Sequence, residues 1–244
     1  MGRAVIDQAR VIRLVNTAVF ARGHVLLQGN VGVGKTTLLR AFAQVLGGDF
    51  ARTEGTIDVM PNDLIYCTYL SADGRPAVDP GPLIRHGENR AIFFFNEINR
   101  ARPQVHSLLL RVMAWRSVAA FNREHRIPHL LVFADRNRVE REAPFESSLA
   151  ARDRFMMEVT IDAPATDADR SRLMFDPRFH ATDRLVGELA SAIVAYQELN
   201  DVAGVIQRCV QASDALQGYA LALWRATAAP PSTACGSPTS TPPS

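Results

Sequence analysis

One eight-residue segment near the N-terminus restricts the fold of this chain more than any other feature. Gly29-Asn30-Val31-Gly32-Val33-Gly34-Lys35-Thr36 follows the apolar run 25–27 and precedes a segment with helical spacing. Its glycines, lysine and threonine have the spacing of a loop that joins a strand to a helix and binds phosphate. Glycines let successive backbone N–H groups converge on a phosphate, and the helix N-terminus adds a positive dipole end. The alternative is a glycine-rich turn without a ligand.

The loop predicts an α/β domain of the P-loop NTPase type, with a parallel sheet flanked by helices. Lys35 is expected to reach the β and γ phosphates of ATP, and the Thr36 hydroxyl to bind Mg²⁺. The residues expected to contact the nucleotide are Gly29, Asn30, Val31, Gly32, Val33, Gly34, Lys35, Thr36 and Thr37.

The composition argues against two other classes of protein. The net charge of the 244 residues is +2, which is too small to indicate nucleic-acid or membrane-surface binding by itself. No apolar run approaches the roughly 20 residues that span a bilayer. The N-terminus lacks the apolar segment of a secretory signal, so a cytoplasmic location is expected.

Two short apolar runs predict buried strands that end in polar residues. The run 91–95 is followed by Asn96 and Glu97, and the run 129–134 leads to Asn137. Because ligands bind at the carboxyl ends of parallel strands, Glu97 is a candidate to polarise the attacking water. Asn137 is a candidate to hold that water or the γ-phosphate. The alternatives are an exposed strand-end carboxylate and a turn cap.

Further along the chain, Arg152 and Arg154 precede a strand expected at 157–161. Closely spaced arginines are usually a solvated surface, but a guanidinium presented to a neighbour's γ-phosphate raises the hydrolysis rate by orders of magnitude. Turn residues at 71–76 and around 121–123 predict two β-hairpins.

The C-terminal part of the chain has a different pattern. We expect an ATPase core over residues 1–162, a small helical lid over 163–227, and a disordered tail over 228–244 that is rich in Pro, Ser and Thr.

Residues 10–226 resemble the MoxR family of AAA+ ATPases. The matching segments are 29–36, 54–64, 81–83, 96–101, 134–137 and 152–155. The resemblance implies a hexameric ring with ATP and Mg²⁺ at each interface between subunits. It also implies that Glu97 is the Walker B glutamate, that Asn137 is the sensor 1 residue, and that Arg154, rather than Arg152, is an arginine finger acting in trans.

The family resemblance further implies a chaperone-like ATPase that remodels or activates another protein, often with a von Willebrand factor A domain partner. Residues 93–97 and 135–138 are most similar to the branch linked to maturation of methanol dehydrogenase. Two alternatives belong to other classes. One is a DNA-directed AAA+ protein, which the low net charge disfavours, and the other is a nucleotide-binding scaffold without turnover.

Two features depart from the family pattern. Asn96 occupies the position of an acidic Walker B residue, so Thr36 and Asn96 would hold Mg²⁺ with less negative charge, and slower hydrolysis or weaker metal binding is expected. In addition, no sensor 2 arginine follows Gly236-Ser237-Pro238, so the helical lid is expected to be truncated.

Overall fold

A parallel β-sheet organises the computed structural model, which describes residues 4–136 and 153–228. The strands of the described residues are β1 (Val25–Gln28), β2 (Asp49–Glu54), β3 (Tyr66–Leu70), β4 (Pro76–Pro80), β5 (Arg90–Asn96), β6 (Ser117–Ala120), β7 (Arg123–Arg126), β8 (Leu131–Arg136) and β9 (Met157–Thr160). Five of them form the central sheet, in the order β2-β5-β8-β1-β9. All neighbouring strands of this sheet run parallel, as the sequence predicts.

The helices of the described residues are α1 (Ala9–Phe20), α2 (Lys35–Leu46), α3 (Pro61–Ile65), α4 (Pro103–Trp115), α5 (Asp167–Phe175), α6 (Thr182–Gly187), α7 (Leu199–Cys209) and α8 (Asp214–Ala228). α1 and α2 pack on one face of the sheet, and α4 packs on the other. Successive side chains of a strand point to opposite faces, so the apolar runs of β5 and β8 contribute to two separate cores. Phe94 and Phe133 pack with the α2 side, whereas Phe93 and Val132 pack with the α4 side.

Two antiparallel hairpins extend from the sheet, at the positions that the turn residues predict. β3 pairs with β4, and β6 pairs with β7. The Tyr66 and Phe121 rings, one from each hairpin region, lie 4.6 Å apart between their centroids, so the two hairpins contact each other.

The chain divides into two compact units, residues 1–203 and 204–244. Residues 163–203 belong to the first unit, where the Tyr196 hydroxyl donates to Asn89 Oδ1 at 2.9 Å and Leu199 is fully buried. In the described part of the second unit, residues 204–228, most of α8 is exposed, including its apolar side chains. The helices expected beyond residue 166 are present, but the boundary at residue 162 stays a prediction, and the tail 229–244 lies outside the described residues.

None of the helices in the described part of the chain is long and apolar enough to cross a membrane.

Candidate nucleotide-binding site

The loop between β1 and α2 has the backbone conformation that a phosphate-binding loop requires. Gly32 and Gly34 both have φ of +85°, in the left-handed region that side chains with a Cβ rarely adopt. A Cβ at either position would meet open space, so the backbone conformation, and not crowding, requires glycine there. The exposed fraction of Val31 is 76%, which places the outer side of the loop in solvent.

Lys35 begins α2, and its side chain turns back beneath the loop. It is buried, and its ammonium donates to the Gly29 carbonyl at 2.7 Å. The same nitrogen lies 2.6 Å from Asp135 Oδ2 in an ion pair. Thr36 and Thr37 follow and are half-buried in the first turn of α2. A phosphate bound in the loop would therefore share the Lys35 ammonium with Asp135.

Asp135 is a residue of this site that the sequence analysis missed. It lies near the end of β8 and is completely buried. One of its carboxylate oxygens pairs with Lys35, and the other accepts a hydrogen bond from the Glu97 backbone N–H. The sequence contains a signal for it, because alternation along β8 places Asp135 on the same face as Phe133 and α2.

Glu97 follows β5 with φ of +54°, an uncommon value for a residue other than glycine. Its Oε2 lies 2.8 Å from Arg100 Nη1, and the side chain is 14% exposed. Nε2 of the buried His106 ring lies 2.7 Å from the Ile98 carbonyl oxygen. This contact holds the segment after Glu97 in place. The carboxylate thus lies at the expected edge of the sheet, where it is paired with an arginine.

Asn96 ends β5 beside Glu54 of the neighbouring strand. Its Nδ2 donates to Glu54 Oε1 at 2.6 Å, and the two residues are register partners in the sheet. The amide group is therefore held by β2 through its nitrogen.

An apolar cleft of about 410 Å³ adjoins the phosphate loop. Its lining includes Val5 and Ile6 from the segment before α1, Pro164 after β9, and Leu173 and Phe179 from the α5 region. Gly32, Gly34 and Thr37 form the side of the cleft nearest the loop. A small apolar cleft with few polar groups, next to a phosphate loop, suits an aromatic base. Sequence reasoning did not identify this cleft, because its residues come from segments far apart in the chain.

Arg154 lies far from the phosphate loop of its own chain. It is exposed in the turn before β9, and β9 runs parallel to β1 with Met157 beside Val25. The turn is therefore at the edge where β1 begins, whereas the phosphate loop follows the end of β1. Asn137 and Arg152 lie outside the described residues.

The largest pKa change at a histidine occurs at this opposite edge. The pKa of His24 is lowered to about 4, mainly by burial and also by the positive charges of Arg116 and Arg22. The hydrogen bond to the Met113 carbonyl acts in the opposite direction and raises it. Burial also lowers the pKa of Arg22 to about 10.

A comparison with known proteins places this site in a family. The family model described as "ATPase family associated with various cellular activities (AAA)" matches residues 24–157, more than half of the chain. The chain is 57% identical over 230 residues to Protein MoxR of Methylorubrum extorquens, covering 94% of this chain and 67% of that protein. It is 56% identical over 232 residues to Protein MoxR of Paracoccus denitrificans, covering 95% and 68%. The chain belongs to the MoxR family of AAA+ ATPases.

One more distant relative and one solved structure are also similar to this chain. Chaperone MoxR1 of Mycobacterium tuberculosis is 34% identical over 171 residues, which are 69% of this chain and 44% of that protein. The crystal structure of a candidate ATPase from Cytophaga hutchinsonii superposes with a TM-score of 0.74 at 26% identity, covering 93% of this chain and 66% of that one. The chain thus spans about two thirds of the length of its two MoxR relatives.

Proposed function

We propose that this chain binds and hydrolyses ATP and uses the cycle to remodel or activate a partner protein. The observation that carries the proposal is the position of Lys35, which lies at the N-terminus of α2 beneath a glycine loop with two left-handed residues. The adjoining apolar cleft supports adenine as the base. The proposed contacts of the nucleotide are Gly29, Asn30, Val31, Gly32, Val33, Gly34, Lys35, Thr36 and Thr37.

The side chains around the loop suit a Mg²⁺–nucleotide complex. Mg²⁺ prefers oxygen ligands and would neutralise phosphate charge when bound. We assign the Thr36 hydroxyl and the Asn96 side-chain oxygen to it, since the Asn96 nitrogen is the atom that donates to Glu54. Glu97 is proposed to polarise the attacking water, and Asn137 to hold that water or the γ-phosphate.

Arg100 Nη1 lies 2.8 Å from Glu97 Oε2, so a proton from water would have to go to the other carboxylate oxygen, or the ion pair would have to open. This observation favours one second candidate, a nucleotide-binding scaffold with little turnover. ATP binding without phosphate release, in the presence and absence of client protein, would support the scaffold instead.

We further propose that the active form is a hexameric ring in which Arg154 acts on the neighbour's ATP. The exposed position of Arg154, at the edge of the sheet away from its own loop, supports action in trans. Mixing two inactive variants tests this proposal. In a mixture of Arg154→Ala with Glu97→Gln, some interfaces combine an intact Arg154 with an intact Glu97, so ATPase activity should reappear.

A second mixture tests the same proposal with another inactive variant. It combines Arg154→Ala with Lys35→Ala at the same total concentration. It should also regain activity, because Lys35 and Arg154 of one ATP site would come from different subunits. Mixtures that stay as inactive as the single variants would contradict action in trans.

The proposed client is a dehydrogenase of the methanol-oxidising type, with a von Willebrand factor A domain protein as a partner. The identity to MoxR proteins of two bacteria, and the name of the mycobacterial chaperone, support a client-directed role. The proposed location is the cytoplasm, as expected from the sequence. A DNA client is disfavoured by the net charge of +2.

A pull-down in the presence of ATP tests the client proposal. Glu97→Gln is expected to bind ATP without hydrolysing it and to retain the partner, whereas the control Lys35→Ala should retain neither. Recovery of a von Willebrand factor A protein or a dehydrogenase subunit with Glu97→Gln alone would support the remodelling function. Recovery of DNA alone would overturn it.

A further inference from the structure

The strand order places Asp135 closer to the phosphate loop than Asn96, whose position is acidic in the family pattern. β8 lies between β1 and β5 in the sheet. Asp135 is the register partner of Leu27, two residues before Gly29. Phe95 of β5 is the register partner of Ala134 of β8, so the next residues, Asn96 and Asp135, lie side by side. Asn96 is on the side of β8 that faces away from β1. Since neighbouring strands are about 4.8 Å apart, Asp135 is one strand spacing closer to β1 than Asn96 is.

Asp135 also faces the correct side of the sheet. Leu131 and Phe133 of the same strand pack against the α2 side, and alternation places Asp135 on that side. Its Oδ2 is 2.6 Å from the Lys35 ammonium. Its Oδ1 accepts the Glu97 backbone N–H. A single buried carboxylate therefore joins the phosphate loop to the strand end that carries Glu97.

Asn96, by contrast, is neutral and is hydrogen-bonded to Glu54 on the other side. It can offer an amide oxygen to the site but no negative charge.

We propose that Asp135 supplies the carboxylate of the Mg²⁺–nucleotide site, in place of the acidic Walker B residue that Asn96 replaces, and positions Glu97. This inference rests on the proposed function. The Asp135 charge is balanced by the Lys35 ammonium, which lies 2.6 Å away. A bound phosphate would share that ammonium, so the buried carboxylate would no longer be fully balanced unless Mg²⁺ accompanied the nucleotide. Because an unbalanced buried charge is costly, Asp135 should make ATP binding depend strongly on Mg²⁺.

The test measures ATP affinity with and without Mg²⁺. A fluorescent ATP analogue is titrated into the full chain in excess MgCl₂ and in EDTA. The Kd in EDTA divided by the Kd in MgCl₂ is the ratio compared among four proteins. These are the wild type, Asp135→Asn, Asn96→Asp and the double variant Asn96→Asp/Asp135→Asn. In Asp135→Asn the ratio should fall at least tenfold. In the double variant, which moves the carboxylate from β8 to β5, the ratio should recover to within about threefold of wild type.

Asn96→Asp alone keeps the proposal falsifiable if Asp135→Asn does not fold, which far-UV circular dichroism would reveal. Because Asn96 is itself a proposed Mg²⁺ ligand, the added carboxylate should raise the ratio, but by less than fivefold, since Asp135 already supplies a carboxylate to the site. A tenfold rise would show that position 96 lacks a charge the site needs, and would overturn the proposal.

Two other results would also overturn it. One is a folded Asp135→Asn variant that has the wild-type ratio. The other is a double variant whose ratio stays as low as that of Asp135→Asn, because a carboxylate on β5 would not restore a purely structural role of Asp135. A wild-type chain that binds no ATP in either buffer would refute the proposed function itself, and this inference with it.

Discussion

The buried His24 ring should make the stability of the fold decrease at mildly acidic pH. Its Nδ1 accepts the Val132 backbone N–H at 2.9 Å, so the proton of the neutral ring is on Nε2, which faces the Met113 carbonyl at 3.2 Å. Protonation of Nδ1 would place two N–H groups against each other. The ring would also become charged in a buried site beside Arg22 and Arg116, which is why its pKa falls to about 4.

The sign and size of the effect follow from proton linkage. The unfolded chain, with a histidine pKa of 6.5, binds this proton at a higher pH than the folded chain, with a pKa of about 4. The contribution of His24 to stability is therefore complete above pH 6.5 and is lost as the pH falls toward 4. The loss is on the order of 1 kcal/mol at pH 5.5 and 2–3 kcal/mol at pH 4.5, with a limit of about 3 kcal/mol.

Urea denaturation followed by far-UV circular dichroism at pH 7.5, 5.5 and 4.5 would measure the free energy of unfolding. His24→Asn is the matched control, because an amide oxygen can accept the Val132 N–H and does not titrate in this range. The control should be less stable than wild type at pH 7.5 but should lose about 2–3 kcal/mol less between pH 7.5 and pH 4.5. Parallel pH profiles for the two proteins would refute the assignment of this acid sensitivity to His24.

Three further substitutions probe the site. Gly55→Ala should destabilise the fold by about 1–3 kcal/mol in urea denaturation, because the new Cβ would lie 2.3 Å from the Glu97 carbonyl oxygen. Lys35→Ala should abolish ATP binding and also lower the urea midpoint, since Asp135 would keep a buried charge without its partner; an unchanged midpoint would contradict that ion pair. Phe179→Ala should weaken binding of an adenine nucleotide several-fold in titrations and leave binding of inorganic triphosphate unchanged, because it lines only the apolar cleft.

The elements that local patterns predict are those whose cause is local. β5 and β8 are continuous apolar runs because helices cover both faces of a parallel sheet. The two hairpins follow from turn residues, and the phosphate loop follows from the spacing of glycines before Lys35. In each case the residues that determine the structure are adjacent in the chain, so a short window of sequence contains the whole signal.

The apolar cleft and the C-terminal segments depend on contacts between distant residues. Val5 and Phe179 line the same cleft although 174 residues separate them. Likewise, Tyr196 is held in the first compact unit by Asn89, whose position no local pattern relates to it. Helical periodicity predicts that residues 166–226 form helices, but it does not indicate against which unit each helix packs.

Asp135 illustrates how a functional assignment depends on strand order. Reading along β8 for a polar residue at the strand end favours Asn137, because it is the residue beyond the apolar run that matches the family pattern. The role of Asp135 depends instead on β8 lying between β1 and β5, which no single segment specifies. The same strand order changes the meaning of Asn96. Taken alone, its amide indicates a weakened metal site. With the buried Asp135 carboxylate on the next strand, we expect Asn96→Asp to raise the dependence of ATP binding on Mg²⁺ much less than Asp135→Asn lowers it.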